Sequence, residues 1–291
     1  MELKSQERWK RRLIEGEHMI QAITSSQNKI IKHAKSLHMK KYRDSNEQFL
    51  IEGIKLIREA LAYDVSINTL LYHNKVSNNP DIQEIINICL GRGVSVYELE
   101  EKPYLDISET KTPQGIICIG HKRTYDINLL IKRDRYNVVI LEEVQDPGNV
   151  GTIIRTADAF GFDFVILSKG CADIYSGKTI RSTMGSLFHI PVIDNVDLVD
   201  VISTLNQVEV LTLATTPRGG IACYDIDYKN KNAIVIGNES KGLSDAVMDK
   251  VKIKANIPML GKAESLNASV AASTIMYELM RYKLLTAKND L

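Results

Sequence analysis

Three separated stretches of the chain place polar side chains beside glycines, each directly after an apolar run. The stretches read QDPGNVGTIIRTADAFG, AIVIGNESKGLS and ANIPMLGKAESLNASVAAS. Their candidate residues are Asn149, Arg155, Gly237, Glu239, Ser265 and Asn267. Amide, hydroxyl and carboxylate groups can orient a hydroxyl-bearing substrate, and a guanidinium suits a phosphate. Polar residues of this kind at the ends of strands indicate a ligand site, in which the guanidinium could face an anionic or hydroxyl group.

Two interpretations of Arg155 are open at this level. It lies in an apolar helical run, where it either pairs with Asp158 on the protein surface or points at a ligand above the sheet edge. Pro147 and Gly148 predict a turn before this helix, and Asn149 is a candidate to cap it. In the third stretch, Ser265 is the candidate cap of the following helix.

Several site classes are disfavoured by motifs that the sequence lacks. It contains neither a P-loop nor a GxGxxG fingerprint, so a conventional nucleotide site is not predicted. The four cysteines are far apart, which disfavours a zinc site or disulfide framework and favours reduced, cytosolic thiols. The six histidines are scattered, so no metal site is predicted. No apolar run reaches about 20 residues, so no membrane span is predicted either.

The elements that must position the three stretches form the second half of the chain. Apolar runs such as NVVILEEV, FDFVILSK and NAIVIGN read as strands covered on both faces, with helices between them. This alternation predicts an α/β domain with a largely parallel sheet. Because ligands bind beyond the carboxyl ends of such strands, we expect the three stretches to meet in one cleft.

The first half predicts a smaller α/β unit. The proposed boundaries are an extension over 1–19, a first domain over 20–122, a linker over 123–136 and a second domain over 137–291. Net charge is only +1, but a stretch without acidic residues, predicted as one helix over about 28–41, holds a basic run. That run consists of Lys29, Lys32, Lys35, Lys40, Lys41 and Arg43. It is either a solvated helix face or a surface that follows RNA phosphates.

In this order and spacing, the three stretches, with KTIRSTMGSLFHIPV between the first two, resemble the SpoU/TrmH-type RNA 2′-O-ribose methyltransferases of the SPOUT superfamily. The first half, with FLIEGIKLIREAL, is similar to the ribosomal-protein-like substrate-binding domain of many members. The resemblance implies a trefoil-knotted C-terminal methyltransferase domain and a homodimer built through that domain. It also implies a cytoplasmic RNA-modifying enzyme without a membrane segment.

The resemblance further implies that S-adenosyl-L-methionine binds in the knot. The implied cofactor-binding residues are Ala214, Gly237, Ile257, Met259 and Leu266. The implied catalytic residues are Asn149, Arg155, Glu239, Ser265 and Asn267. Predicted RNA contacts, besides the basic run, are Lys178, Arg181 and Arg281. Arg155 would either anchor a phosphate or act as the base, and the residues leave this choice open.

The expected substrate is large-subunit ribosomal RNA, with transfer RNA as the alternative. Rival interpretations are a non-catalytic RNA-binding protein, an enzyme that methylates a base nitrogen, and, least favoured, a small-molecule α/β enzyme. The sequence does not distinguish ribosome maturation from antibiotic resistance.

Overall fold

The computed structural model describes residues 20–289. The chain divides into two compact units between Lys122 and Arg123. Each unit is an α/β layer structure with its own sheet.

The first unit has five strands and five helices within the described residues. In chain order they are β1 (Gln21–Ile23), α1 (Lys29–Ser36), α2 (Lys40–Asn46), β2 (Gln48–Glu52), α3 (Ile54–Ala62), β3 (Ile67–His73), α4 (Pro80–Gly91), β4 (Ser95–Leu99), α5 (Glu101–Leu105) and β5 (Ile116–His121), with a short 3-10 turn at Asn74–Val76. The sheet order is β1-β4-β3-β5-β2. It is mixed, because β5 runs antiparallel to both neighbours.

The basic run lies on two helices rather than the single helix predicted over 28–41. The Asn28 side chain caps α1 by accepting from the Ile30 backbone N–H, and the chain turns before α2. In α1, Ile31 and Ala34 are buried against the sheet and alternate with exposed lysines. A core that includes Ile23, Leu71 and Ile117 thus fixes one face of α1 and leaves the basic face outside.

The second unit has seven strands and six helices within the described residues. They are α6 (Asn128–Ile131), β6 (Tyr136–Leu141), α7 (Pro147–Ala159), β7 (Phe164–Ser168), α8 (Gly177–Thr183), β8 (Val192–Val196), α9 (Leu198–Gln207), β9 (Leu211–Thr216), β10 (Ile221–Ala222), β11 (Lys231–Ile236), α10 (Asp245–Met248), β12 (Ile253–Asn256) and α11 (Ala268–Asn289), with short 3-10 turns at Ser186–Phe188 and Cys223–Asp225. The sheet order is β10-β12-β9-β11-β6-β7-β8.

All six strand pairings of this second sheet are parallel. The mixed α/β architecture with a parallel C-terminal sheet was predicted, and it is confirmed. Every residue of β6 is buried, as expected of a central strand with helices on both faces. The trefoil knot stays a prediction from the resemblance.

Residues 123–136, which the sequence suggested as a linker, pack as part of the second unit. Leu130 in α6 is fully buried in the core cluster that also contains Val138 and Ile202. Tyr125 and Ile131 pack against the same cluster. Charged residues separate the apolar side chains in this stretch, so its sequence resembles that of a polar linker.

The sheet register brings the ends of four adjacent strands to one edge. Ile236 at the end of β11 is paired with Leu141 at the end of β6. On the other side of β11, β9 is paired with β12, where Thr216 lies opposite Asn256. The loops after these strands therefore leave the sheet side by side.

Candidate active site

A chain of side-chain hydrogen bonds joins the three loops at this edge. The Asn149 amide nitrogen donates to Glu239 Oε1 at 3.0 Å. The Asn267 amide nitrogen donates to Asn149 Oδ1, also at 3.0 Å. Residues separated by about 90 and 118 positions in sequence are thus in direct contact. The predicted convergence of the three stretches is present in the structure.

The first loop is organised by Asp146, not by Asn149. Asp146 Oδ1 accepts from the Asn149 backbone N–H at 2.9 Å, which makes Asp146 the N-cap of α7. Pro147 then occupies the first helical position, where its missing N–H costs nothing. The expectation that Asn149 caps the helix was wrong. The Asn149 side chain is instead left to bridge the other two loops.

The second loop folds back tightly on Gly237. A Cβ atom at Gly237 would lie 2.4 Å from the Gly242 carbonyl carbon and 2.5 Å from the Leu243 nitrogen. The glycine is therefore required by the close approach of the chain's own backbone. Asn238 closes this turn, since its Oδ1 accepts from the Ser240 and Lys241 backbone N–H groups.

The same loop is tied to the first one by further bonds. Ser244 donates through its hydroxyl and its backbone N–H to the two oxygens of Glu142, at 2.6 and 2.8 Å. The Asn238 amide donates to the Glu143 carbonyl oxygen at 2.8 Å. Glu239 accepts from the backbone N–H groups of Gln145 and Asp146, both at 3.3 Å. The loops after β6 and β11 thus form one hydrogen-bonded assembly.

The third loop ends in a helix cap formed by Asn267. Its Oδ1 accepts from the Ser269 backbone N–H at 2.9 Å and from the Val270 backbone N–H at 3.3 Å. The expectation that Ser265 caps α11 was wrong, because the helix starts at Ala268. Ser265 is exposed and lines the adjacent cavity.

Arg155 is exposed on α7, two turns from the loop. The surface pairing with Asp158 is not formed: Asp158 Oδ2 instead contacts His189 Nδ1 at 2.9 Å. Among residues 20–289, the Arg155 side chain makes neither an ion pair nor a hydrogen bond. Its guanidinium is therefore available to an anion outside the chain.

A cavity of about 470 Å³ lies between the second and third loops. Its size is in the range of small-molecule sites. Four of the five predicted cofactor-binding residues line it: Gly237, Ile257, Met259 and Leu266. Ala214 does not line it and is fully buried within β9, but the next residues on that strand, Thr215 and Thr216, do. The wall combines apolar side chains with polar groups at strand ends.

The electrostatics of the loop assembly favour ionised carboxylates. Burial alone would raise the pKa of Glu239, but hydrogen bonds from Asn149 and from backbone N–H groups outweigh it and hold this pKa below its ordinary value. The backbone N–H of Asn149, helped by Lys178, lowers the pKa of Asp146. At neutral pH both side chains therefore act as acceptors.

The predicted RNA-contacting residues occupy different environments. Lys178 lies 3.3 Å from Asp146 beside the site, whereas Arg281 on α11 donates to Glu278 on the same helix, which raises the pKa of its guanidinium. Arg181 lies half-buried on α8. Of the basic run, the exposed members are Lys29, Lys32, Lys35, Lys40 and Lys41.

The predicted role of Arg43 in RNA binding needs a correction. It is only 5% exposed, and its guanidinium donates to the carbonyl oxygens of Leu37 and His38, both at 2.7 Å. It therefore holds the turn between α1 and α2 and is not positioned to bind a phosphate.

Comparison with known proteins connects this geometry to a family. The SpoU rRNA Methylase family model matches residues 136–277, and a model of an MRM3-like substrate binding domain matches residues 28–118. The chain is 36% identical over 257 residues to the 23S rRNA (guanosine(2553)-2′-O)-methyltransferase RlmP of Bacillus subtilis, covering 88% of this chain and 98% of that protein. The chain belongs to the SpoU rRNA methylase family.

Solved structures of similar proteins extend over both units of this SpoU family member. An AdoMet-bound rRNA methyltransferase from Sinorhizobium meliloti matches with a TM-score of 0.82 and 33% identity, over 90% of this chain and 98% of that one. The SpoU methyltransferase AviRb from Streptomyces viridochromogenes, in complex with AdoMet, matches with a TM-score of 0.79 and 26% identity, over 89% and 99%.

In this SpoU family member, the residues missed from sequence are those that hold the loops together. Glu142, Asn238 and Ser244 were not singled out, and Asp146 was given no role. An Asp before Pro-Gly is the usual signal of a helix N-cap, and it was available for Asp146. An Asn directly after a strand-ending glycine signals a side-chain turn, and it was available for Asn238.

Neither a membrane span nor a metal site is predicted from the sequence, and the next two observations concern only the described residues. Among the described helices, none combines the length and the apolar character needed to cross a bilayer. Within residues 20–289, no group of three or more His, Cys, Asp or Glu side chains is arranged to hold a metal ion.

Proposed function

We propose that this protein transfers a methyl group from S-adenosyl-L-methionine to a ribose 2′-hydroxyl of large-subunit ribosomal RNA. The observation that carries the proposal is the Glu239–Asn149–Asn267 chain of hydrogen bonds beside the 470 Å³ cavity. Support comes from the relatives, because RlmP is named a 23S rRNA 2′-O-methyltransferase and the two similar structures contain AdoMet. The proposal places the protein in the cytoplasm.

The cavity fits the cofactor in size and in chemistry. Ile257, Met259 and Leu266 offer an apolar surface for an adenine ring, and Thr215 and Thr216 add hydroxyl groups at the end of β9. When bound, S-adenosyl-L-methionine supplies a methyl group on a positively charged sulfur. In this proposal the residues that line the cavity hold and orient it.

The residues proposed to act in catalysis have separable tasks. Arg155, with no partner among the described residues, would bind the phosphate beside the target ribose and stabilise negative charge that develops on the 2′-oxygen. Asn149, Glu239 and Asn267 would keep the loops in place, so that oxygen, methyl carbon and sulfur stay in line. We do not assign Arg155 the role of general base, because a guanidinium normally keeps its proton.

The active enzyme in this proposal is a homodimer built through the C-terminal unit. Val270, Tyr277 and Leu284 are spaced seven residues apart on α11 and are 50%, 50% and 58% exposed. Such spacing places them on one stripe of the helix. A stripe of this kind suits a second copy of the same helix. Light scattering of a Leu284→Glu variant should show monomers, and a Leu129→Glu variant should not.

The experiment that tests the function is methyl transfer to defined RNAs. Purified protein, tritiated S-adenosyl-L-methionine and unmodified 23S rRNA transcript should give nuclease-resistant dinucleotides with a 2′-O-methyl ribose. Label in transfer RNA alone would move the substrate to the alternative class. Label on a base nitrogen, or none on any RNA, would reject ribose methylation.

A further inference from the structure

The first unit carries an exposed apolar pair next to exposed lysines. Met39 occupies the N-cap position of α2 and Tyr42 lies three residues further, so both occupy the same side of that helix. Met39 is 59% exposed and Tyr42 is 39% exposed. Lys40 and Lys41 lie between them. We call these four residues the Met39–Tyr42 patch.

The patch follows a turn whose carbonyl groups are held by side-chain hydrogen bonds. Arg43 is buried beneath it and donates to the carbonyl oxygens of Leu37 and His38. The Tyr42 backbone N–H also donates to the Met39 carbonyl oxygen at 3.0 Å. Because the buried Arg43 side chain fixes this surface turn, Met39 and Tyr42 are held in a defined position.

The charges around the patch suit a polyanion. Lys29 and Lys32 are exposed on the adjacent helix, and neither forms an ion pair among the described residues. The Lys41 ammonium lies 5.9 Å from the centre of the Tyr42 ring. Lys40 is paired with Asp44 at 2.9 Å, whereas Lys29, Lys32 and Lys41 form no ion pair among the described residues. Together with the Tyr42 ring and the Met39 thioether, these three lysines match a flat aromatic base attached to a phosphate backbone.

We propose that the Met39–Tyr42 patch stacks an unpaired nucleobase of the RNA substrate, with the base against Tyr42 and the neighbouring phosphates near Lys41 and Lys32. This proposal rests on the proposed function for its RNA substrate. It adds the substrate class: RNA with an unstacked nucleotide in a loop, bulge or single strand. Bases inside a duplex are already stacked, so a regular helix offers no ring to the patch.

Kinetics on the full-length enzyme test the proposal. Tyr42→Ala should raise KM for unmodified 23S rRNA transcript about tenfold, while kcat stays unchanged because the patch takes no part in chemistry. Tyr42→Phe should behave as the wild type, since it keeps the ring. The matched control is Tyr63→Ala, which removes a 47% exposed tyrosine that is followed by Asp64.

An unchanged KM for Tyr42→Ala would overturn the proposal, as would a KM that is not restored by Tyr42→Phe. Absence of turnover by the wild type would instead reject the methyltransferase function. For that case, binding gives an independent readout. A Tyr42→Trp variant in a Trp9→Phe background should lose fluorescence on adding a single-stranded oligoadenylate, and not on adding a duplex RNA. Loss of fluorescence only with rising protein concentration would indicate self-association and overturn base stacking.

Discussion

Replacing Asn149 with alanine removes the side chain that connects the three loops. It breaks one hydrogen bond to Asn267 and one to the carboxylate of Glu239. A neutral hydrogen bond contributes about 1 kcal/mol net, and one to a charged group about 1.5–3 kcal/mol. Because Glu239 is exposed, we take about 1 kcal/mol for that bond as well. The expected loss is about 2 kcal/mol.

That loss should appear in catalysis more than in folding. The bonds hold loops to one another rather than the core of the sheet, so losing them populates arrangements in which the loops are apart. A cost of about 2 kcal/mol corresponds to a decrease of about 30-fold in kcat/KM. The assay is methyl transfer to 23S rRNA transcript. Thr152→Ala, at an exposed position of the same helix, is the control and should stay within twofold of the wild type.

A double-mutant cycle separates the Asn149–Glu239 bond from other effects. Asn149→Ala and Glu239→Ala should be non-additive by about 1 kcal/mol, or about fivefold in kcat/KM. Strict additivity would show that the 3.0 Å contact does not contribute to activity. A kcat/KM within twofold of wild type for Asn149→Ala alone would refute the reasoning, because other contacts would then suffice to hold the loops.

Three further predictions follow from the same geometry. Arg155→Ala should lower kcat by at least 100-fold and leave cofactor affinity by calorimetry unchanged, with Arg155→Lys in between. An equal loss for the two variants, although lysine keeps the positive charge, would show that the geometry of the guanidinium matters rather than its charge. Gly237→Ala should abolish cofactor binding, measured the same way, because its Cβ would overlap Gly242 and Leu243; normal affinity would show that the loop can open without cost. The lowered pKa of Glu239 should stabilise the fold at pH above its ordinary value of 4.5, and this contribution should fade as pH falls below it through the folded-state pKa. Denaturant unfolding of wild type and Glu239→Gln should therefore differ by a constant amount between pH 6 and 8 and converge below pH 4.5; a constant difference down to pH 3 would contradict it.

The convergence of the site could be predicted because it follows from topology. Three strands that run parallel must end at one edge, so loops far apart in sequence had to meet. The predicted strands are confirmed where apolar residues are continuous, as in β6 and β11. The short strands β1, β8 and β10 were missed because their residues are partly exposed or few. The trefoil knot stays a prediction, since residue spacing alone does not indicate threading.

The side-chain partners could not be predicted from residue type alone. Asparagine and serine commonly cap helices, which made Asn149 and Ser265 the expected caps. In the structure Asp146 and Asn267 cap the two helices instead. Arg43 looked like its lysine neighbours, but the helix break at Leu37 turned it inward against carbonyl groups. Which member of a polar cluster faces the protein depends on the exact residue at which a helix begins, and that boundary is what sequence patterns determine least well.

The direction of the hydrogen bonds explains why amides, and not acids, occupy two of the three positions. The chain of bonds starts at the N-terminus of α11, whose N–H groups require an acceptor, so Asn267 must present Oδ1 to the helix and its NH₂ outward. Asn149 must therefore accept at Oδ1 and donate from its own NH₂. The chain ends at Glu239, which can only accept. An aspartate at position 149 would place a second acceptor against Glu239, whereas an asparagine there satisfies both neighbours in one orientation. The fixed helix terminus at one end and the carboxylate at the other thus set the orientation of every group between them.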